Sequence, residues 1–386
     1  MLIKKHNNMT TIGFDAKRIV RNVSGLGNYS RTLVGDLQRI VPEGTQLRLY
    51  APDMGRDELR EQVKESSNLR FVYPHGCYTK LSRDLWRMKG IVEDLKKDGV
   101  HLYHGLTGEL PLGIRKAGIK TIVTIHDLIF MCHPEYYNWI DTKIYAWKFH
   151  KTCREADRII AISECTKRDI MRFGGVDPSK IDVIYQSCST EFKNRESEKM
   201  LQQVHTKYML PERYIVNVGT IEERKNVLLA VRALHMLPEE VSIVIVGRPT
   251  PYADKVREYV EANNLQHRVK MLHNVPHEDL PSIYQMAEAC VYPSRYEGFG
   301  LPVIEAIQSG LPVVACTGSC LEEAGGNDSI YVNPDDVCGM AEAVKQVLCG
   351  APGREQRIER SQQYVKRFEG NNVAQKVLDV YNKVCR

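Results

Sequence analysis

The chain has 386 residues, of which 43% are apolar and 26% charged, and its formal net charge is +5. Because one hydrophobic core rarely grows beyond roughly 250 to 300 residues, this length predicts two domains, and the small net charge gives no support for a nucleic-acid partner. No run of about 18 apolar residues is present and the N-terminus lacks the pattern of a signal peptide, so we expect a cytoplasmic location.

The first half of the chain alternates short β-branched runs with helical stretches. In chain order these segments are TTIGFDA, NYSRTLVGDLQRI, TQLRLYAP, TIVTIHDL, RIIAIS and KIDVIY. Such alternation is typical of βαβ units, in which helices cover both faces of a parallel sheet. Residues 1–190 are therefore predicted to form a Rossmann-like domain.

Gly25 and Gly27 lie between the first predicted strand and the first predicted helix. They form half of a dinucleotide fingerprint, but Ser30 stands where the third glycine belongs, so support for a nicotinamide cofactor is weak. We expect instead a loop whose backbone can approach a phosphate or an acceptor. His126 directly follows an apolar strand predicted over 121–125, which makes it either a ligand contact at a strand end or a structural histidine.

The alternation restarts after a polar stretch at 191–211, which we predict to be a linker. The second series contains RYIVNVGT, VSIVIVGRP, RVKMLHNV, ACVYPS and LPVVACT, and it predicts a second Rossmann-like domain over 212–361. Residues 362–386 show helical apolar spacing broken at Gly370, and this segment is expected to pack back on the first domain. The predicted fold class is α/β, with two doubly wound domains facing a cleft.

A cationic loop follows the strand predicted over 214–218. The strand ends in Gly219, and the loop carries Arg224 and Lys225 to the start of the next helix. Ligands bind at the carboxyl ends of parallel strands, where two fixed cations could meet two phosphates. A solvent-exposed charge run is the alternative interpretation of this loop.

The segment CVYPSRYEGFGLPVIEAIQSG contains the most candidate functional residues. It runs from an apolar strand through a Gly-rich loop into a helix predicted over 302–309. The loop, with Gly298, Phe299, Gly300 and Leu301, therefore feeds a helix N-terminus, which attracts anions such as phosphates. Repulsion disfavours contact between carboxylates and a diphosphate, so hydroxyls are the better partners for Glu297 and Glu305. Ordinary surface charges are the alternative for this pair.

Metal is not expected in this chain. The eleven cysteines are scattered without a C-x-x-C pair, and neither His101 with His104 nor His273 with His277 has accompanying ligands. There is also no Asp-x-Asp, the motif with which metal-dependent sugar transferases hold the donor diphosphate. Cations and helix N-termini would then neutralise a diphosphate leaving group, and no cofactor is required.

The sequence resembles the retaining glycosyltransferase family 4, whose members have the two-domain GT-B fold. The resemblance rests on FDAKR with GLGNYSRTL, TIVTIHDLIF, ADRIIAISECTKRDI, VGTIEERKN and SRYEGFGLPVIEAIQSGLPVV. Within the family the pattern is most similar to bacterial mannosyltransferases of O-antigen, capsule and exopolysaccharide assembly. A start at Met9 would fit this family as well as a start at Met1.

The resemblance implies a role for each matching residue. Glu297 corresponds to the glutamate near the donor sugar hydroxyls and Glu305 to the one on the nucleotide ribose. Arg224 and Lys225 correspond to the diphosphate cations, and His126 to a donor-sugar contact. Gly25 and Gly27 correspond to the loop near the phosphate and the acceptor, which makes the first domain the acceptor side. Many members have Arg directly after the loop glycine, where this chain has Thr220.

The implied activity is transfer of a hexose, with mannose from GDP-mannose favoured, to a glycan or lipid-linked oligosaccharide in lipopolysaccharide or other polysaccharide biosynthesis. UDP-sugars remain an alternative donor, and a nucleotide-sugar epimerase or a catalytically silent binding partner are alternative functions. Peripheral contact with the inner face of the plasma membrane is a further hypothesis, with a solvated helix face as its alternative. It rests on Lys80, Arg83, Trp86, Arg87, Lys89, Lys96, Lys97 and the stretch IYAWKFHK.

Overall fold

A computed structural model describes residues 10–76, 79–368 and 373–385 of the chain. These residues form two compact units: residues 10–186 with 373–385 make up the first, and residues 187–368 the second. The alternative starts at Met1 and Met9 and the predicted break at Gly370 lie outside the described residues.

The first unit contains a parallel sheet of seven strands, in the order β3-β2-β1-β4-β5-β6-β7. The strands are β1 (Thr11–Asp15), β2 (Gln46–Tyr50), β3 (Leu69–Val72), β4 (Leu102–Gly105), β5 (Lys120–Ile125), β6 (Arg158–Ala161) and β7 (Ile181–Val183). All five residues of β1 are buried, as expected for a central strand covered on both faces. The strand order reverses between β1 and β4, which pair directly. Such a switch point opens a crevice at the carboxyl ends of the two strands.

Nine α-helices of the described part of this unit surround the sheet. They are α1 (Lys17–Arg21), α2 (Gly25–Ile40), α3 (Asp57–Arg60), α4 (Lys80–Leu85), α5 (Ile91–Lys97), α6 (Ile129–Cys132), α7 (Trp139–Glu155), α8 (Glu164–Gly174) and the C-terminal α17 (Val373–Val384). Helix α17 joins the first unit's core through apolar residues such as Val377 and Val380. Its Tyr381 hydroxyl lies 2.7 Å from Nδ1 of His104 in β4, so the helix is held by a buried hydrogen bond as well.

The second unit contains a parallel sheet of six strands, in the order β10-β9-β8-β11-β12-β13. The strands are β8 (Tyr214–Val218), β9 (Ser242–Val246), β10 (Val269–Leu272), β11 (Ala289–Tyr292), β12 (Val313–Cys316) and β13 (Ile330–Val332). Its described helices are α9 (Glu198–Tyr208), α10 (Val227–Ala233), α11 (Tyr252–Ala262), α12 (Leu280–Gln285), α13 (Leu301–Gln308), α14 (Leu321–Gly325), α15 (Val337–Lys345) and α16 (Arg354–Val365). The order reverses between β8 and β11, so this sheet has a switch point of its own.

These observations confirm the predicted fold class of two doubly wound α/β domains. The predicted linker at 191–211 differs from the structure, because most of it forms α9, which is capped by Ser197 and buries Val204 within the second unit. Because α9 consists largely of polar Lys, Glu and Gln residues, its sequence resembled a linker. The C-terminal segment predicted over 362–386 is also split between the two units. The end of α16 belongs to the second unit, and only α17 packs on the first.

Candidate active site

The second unit brings two loops together at the carboxyl ends of its central strands. One loop follows β8 and ends in a short 3₁₀ turn, Glu223–Lys225, before α10; the other follows β11 and leads into α13. Because β8 and β11 are neighbours, Arg224 and Lys225 of the first loop meet Glu297 of the second. The sequence predicted these three side chains separately, and the sheet order joins them.

Glu297 receives four polar contacts on one oxygen, Oε1. Lys225 donates to it from Nζ, Nη1 of Arg224 lies 3.1 Å away, the Ser294 hydroxyl donates at 2.6 Å and the Tyr292 hydroxyl at 3.2 Å. Among the described residues, none donates a hydrogen bond to Oε2. Glu297 is 8% exposed, and its carboxylate has one oxygen free to accept from a ligand.

The two cations keep Glu297 ionised. Burial by itself raises the pKa of this carboxyl, but the positive charges of Lys225 and Arg224, with hydrogen bonds from Lys225 and Ser294, lower the pKa to about 2. An ionised carboxylate only accepts hydrogen bonds. It suits the hydroxyls of a polyol and is repelled by phosphate oxygens.

Arg224 is held in place by more than Glu297. Its guanidinium donates to the Tyr296 carbonyl and to the Glu222 carboxylate, and its own carbonyl accepts from the Arg295 N–H at 2.9 Å. Both predicted diphosphate cations therefore have protein partners. A diphosphate would have to compete with Glu297 for them.

The Gly-rich loop reaches α13 through Gly300, whose φ of +104° falls in the region that favours glycine. A Cβ at this position would also crowd the Leu321 side chain, at a distance of 2.9 Å. The helix begins at Leu301, one residue earlier than predicted, and Pro302 occupies its first turn. Phe299 packs edge-on against Phe368 in the core, so its side chain anchors the loop rather than facing the site.

Glu305 lies apart from this cluster, on α13. Its Oε2 accepts a long hydrogen bond of 3.4 Å from Tyr284, and burial raises the pKa of the carboxyl to about 7. The charge of His277 lowers this pKa, but it does not offset the effect of burial. The two glutamates therefore sit in opposite electrostatic environments.

His126 of the first unit follows β5, as predicted, but both ring nitrogens have partners. Nε2 lies 2.9 Å from the Leu106 carbonyl, and Nδ1 lies 3.0 Å from the Gln186 side-chain amide nitrogen. Burial lowers the pKa of His126 to about 4, so the ring is neutral at physiological pH. With Nε2–H as donor and Nδ1 as acceptor, the imidazole is a fixed structural element at the strand end.

Gly25 and Gly27 do not form the predicted loop. Helix α1 follows β1 directly, and Gly25 begins the 16-residue helix α2. A Cβ on Gly27 would lie 1.8 Å from the Asn22 carbonyl oxygen, whereas nothing lies within 4 Å of one on Gly25. The glycine at 27 is needed for close backbone approach, and the pair lies at a helix N-terminus.

Two residues of the predicted membrane surface are also placed differently. Trp86 is 7% exposed and donates from Nε1 to Asp94, while the half-buried Arg87 lies between Asp15 and Glu109. Arg83 pairs with Asp53 at 2.8 Å. The lysines Lys80, Lys89, Lys96 and Lys97 remain exposed.

Sequence reasoning missed Tyr292, Ser294 and Tyr284. The first two precede Glu297 by five and three residues and face it from the same strand end. Both lie in the sequence segment that contains Glu297, and this proximity could have identified them as candidates. Within the described ranges, no group of three His, Cys, Asp or Glu side chains could hold a metal ion.

Known proteins share both halves of this architecture. The Glycosyltransferase Family 4 model matches residues 23–192 and the Glycosyl transferases group 1 model matches residues 203–364. The chain is 28% identical over 384 residues to the O-antigen chain mannosyltransferase B of Escherichia coli, covering 95% of this chain and 98% of that protein. It is 29% identical over 255 residues to the O-antigen chain mannosyltransferase RfbU of Salmonella typhimurium, covering 66% and 67% of the two chains.

A solved structure shows the same fold. Alr3699/HepE of Anabaena, in complex with UDP and glucose, superposes with a TM-score of 0.75 at 15% identity, covering 97% of this chain and 100% of that one. Two parallel-sheet α/β domains of this kind are the architecture of the GT-B glycosyltransferases. The chain belongs to the glycosyltransferases of family 4 and group 1, and it is a hexosyltransferase. The predicted family is thereby confirmed.

Proposed function

We propose that this protein is a retaining mannosyltransferase that moves mannose from GDP-mannose to a glycan or lipid-linked saccharide in cell-surface polysaccharide biosynthesis, without a metal ion. The observation that carries the proposal is the Glu297 cluster, in which an ionised carboxylate and two cations meet at a sheet switch point. The names of two relatives, both O-antigen mannosyltransferases, support the sugar and the pathway.

The proposed roles follow from the charges. Oε2 of Glu297 accepts from a donor-sugar hydroxyl, while Lys225 and Arg224 turn towards the diphosphate. Gly219, Gly298, Gly300 and the Leu301 end of α13 offer backbone to the phosphates, and Glu305 accepts from the ribose. Stabilisation of the leaving diphosphate by fixed cations is then the main electrostatic contribution to catalysis.

Retention of configuration is proposed to arise by front-face attack, in which the departing phosphate takes the acceptor proton. The competing route is double displacement, which needs a carboxylate nucleophile beneath the anomeric carbon. Four contacts hold Oε1 of Glu297 in place, and the proposed role of its other oxygen as a hydroxyl acceptor favours the first route. Azide added to Glu297→Gln tests this: recovery of an inverted glycosyl azide would establish the covalent route.

The donor is tested with a thermal-shift panel of GDP, UDP, GDP-mannose and UDP-sugars in the absence of metal. We expect guanine nucleotides to stabilise the wild type, less so Glu305→Ala, and equally well the control Glu258→Ala, an exposed residue of α11. Stabilisation by uridine nucleotides alone would instead indicate the UDP-sugar alternative, which the UDP and glucose of the Anabaena structure represent. No shift with any nucleotide would refute the donor site.

Two other activities are separated by donor consumption. An epimerase converts the sugar nucleotide without an acceptor, and a catalytically silent partner consumes none. The proposed transferase releases nucleoside diphosphate faster when a suitable saccharide acceptor is added. Measuring nucleotide release with and without a panel of saccharides distinguishes the three.

Peripheral contact with the cytoplasmic membrane face is the final part of this proposal. On α7, Trp139, Ile140 and Ile144 are 65%, 50% and 45% exposed, and Nζ of Lys143 lies 4.9 Å from the Trp139 ring centre. Basic residues beside exposed apolar ones suit an anionic leaflet. No helix in the described part of the chain is both long and apolar enough to cross a bilayer. Sedimentation with anionic vesicles at low salt, lost in Ile140→Glu, is the expected result; no sedimentation of the wild type refutes the contact.

A further inference from the structure

Tyr292 ends β11 directly beside the Glu297 cluster. Its ring is buried in the second unit, with 2% of the residue exposed. Its hydroxyl oxygen accepts a hydrogen bond from Nζ of Lys225 at 2.6 Å, and the hydroxyl donates to Oε1 of Glu297 at 3.2 Å. The Lys225 ammonium also lies 5.0 Å from the centre of the ring. One side chain therefore contacts both members of the ion pair.

The phenol of Tyr292 keeps its proton. Burial, together with the negative charge of Glu297, raises the pKa of Tyr292 well above its ordinary value. A neutral phenol accepts and donates at the same time, so it can accept from the cation and donate to the anion. Because it carries no charge, Tyr292 does not compete with a diphosphate for Lys225.

Oε1 of Glu297 has more donors than lone pairs in the free protein. Four groups contact this oxygen, whereas a carboxylate oxygen offers about two lone-pair sites. The Tyr292 contact is the longest of the four, and O–H···O bonds are usually about 2.7 to 2.8 Å long. The Tyr292 hydroxyl is thus a weak donor to Glu297 while Lys225 occupies the same oxygen.

The proposed function changes this arrangement, since Lys225 and Arg224 turn towards the diphosphate during transfer. Glu297 then keeps two hydroxyl donors, Ser294 at 2.6 Å and Tyr292 at 3.2 Å. The terminal torsion of a glutamate is broad, so a carboxylate held by a single hydrogen bond can rotate about it. Two donors on Oε1 restrict this torsion, and they thereby restrict the position of Oε2.

The Tyr292 hydroxyl is held by a rigid part of the unit. Strand β11 lies between β8 and β12, and Tyr292 is in register with Ala315 of β12. All four residues of β11 are buried. Functional groups held by strands and helices are placed more precisely than groups held by loops. The hydroxyl therefore keeps its position when the loop cations move.

We propose that Tyr292 is a positioning residue of the transfer reaction, whose hydroxyl holds Glu297 in place for the donor sugar once Lys225 has moved to the diphosphate. This role deepens the proposed function and rests on it. Tyr292 acts through Glu297 and has no contact of its own with the sugar.

The test compares Tyr292→Phe with the wild type in two measurements on the full chain. One is the rate at which nucleoside diphosphate is released from the sugar nucleotide in the presence of the saccharide panel, and the other is calorimetric affinity for the nucleoside diphosphate. The nucleotide is the one that stabilises the wild type in the thermal-shift panel. We expect the rate to fall about tenfold, as for one lost hydrogen bond, and the affinity to stay within about twofold, because both diphosphate cations remain.

Tyr214→Phe is the matched control. Tyr214 is a buried tyrosine at the amino end of β8, and its hydroxyl donates to the Ile283 carbonyl at 2.6 Å. The substitution therefore removes a comparable hydrogen bond at the opposite end of the strand from the cluster. We expect both variants to lose stability in urea unfolding, and only Tyr292→Phe to lose transfer rate.

A double variant separates positioning of Glu297 from a general structural effect. With Glu297→Ala there is no carboxylate to hold, so adding Tyr292→Phe should change the residual rate by less than about twofold. A tenfold loss in that background as well, or an unchanged rate in Tyr292→Phe alone, overturns the proposal. A parallel loss of rate and nucleotide affinity also overturns it, because Tyr292 would then hold Lys225 rather than Glu297. Failure of the wild type itself to bind nucleotide or to transfer sugar refutes the proposed function, and this role with it.

Discussion

Lys225 and Glu297 are in direct contact, although 72 residues separate them in the chain. Lys225 also donates to the Tyr292 hydroxyl at 2.6 Å, so its ammonium group bridges two side chains at the carboxyl end of β11. In the free protein this cation neutralises a glutamate. During transfer it is proposed to neutralise a diphosphate instead, and this exchange of partners is the basis of the first two predictions.

Replacing Lys225 by Met should weaken binding of the nucleoside diphosphate. One charge-assisted contact is worth about 1.5 to 3 kcal/mol, so we expect affinity to fall by about 10- to 150-fold in calorimetric titration with GDP. Lys255→Met, which removes an exposed lysine of α11, should bind like the wild type. Equal affinities for both variants would show that Lys225 only holds Glu297.

Replacing Glu297 by Gln should separate binding from catalysis. The substitution removes the anion that competes for Lys225 and Arg224, so affinity for the nucleoside diphosphate is expected to stay equal or increase. The transfer rate should fall by about 10²- to 10³-fold, because the amide is a poorer acceptor for the donor hydroxyl. Titration and rate measurements on the same preparation test this. A parallel loss of affinity and rate would mean that Glu297 maintains the shape of the loop.

Nucleotide affinity should depend on pH through Glu305, whose pKa is about 7. If only the ionised carboxylate accepts from the ribose, raising the pH from 6 to 8 increases the ionised fraction, and hence affinity, by about tenfold. Glu305→Gln should show no such increase in titrations across this range. A wild-type affinity that stays flat between these pH values would contradict the role of Glu305.

The free energy of unfolding should also depend on the protonation of Glu305, but this contribution should fall as the pH rises. A carboxyl whose pKa is raised on folding binds more protons in the native state, so its contribution to the free energy of unfolding is present at low pH. That contribution is lost as the pH rises from the ordinary value of about 4.5 to about 7. Urea unfolding of the wild type relative to Glu305→Gln should therefore show a stability difference that shifts in favour of the variant over this window.

Gly27 and Gly25 should respond differently to alanine. The Cβ of Gly27→Ala would meet the Asn22 carbonyl oxygen at 1.8 Å, so we expect a loss of about 1 to 3 kcal/mol in the free energy of unfolding. Gly25→Ala, two residues earlier in the same helix, meets nothing within 4 Å and should be tolerated or slightly stabilising. Urea denaturation of both variants measures the difference. Equal destabilisation would show that the helix N-terminus tolerates no side chain at all.

Most of the fold was predictable from local patterns. Strand β8 was predicted with the bounds it has, and the alternation of apolar runs with helices indicated two parallel sheets, because buried parallel strands are apolar on both faces. Helix α9 escaped prediction because only a few apolar contacts hold it, with Val204 its one buried residue, and its polar residues resemble a linker.

The candidate site was predictable as a set of residues but not as an arrangement. The sequence by itself determined that Glu297, Arg224 and Lys225 lie at strand ends, since strand position and loop length are local properties. Only the tertiary structure decided that β8 and β11 are neighbours and thus that these three groups form one ion cluster. The same holds for Arg87, which looked like a surface charge on a basic helix. It lies between Asp15 and Glu109 because the order of the strands, which no local periodicity encodes, sets which distant carboxylates share a crevice.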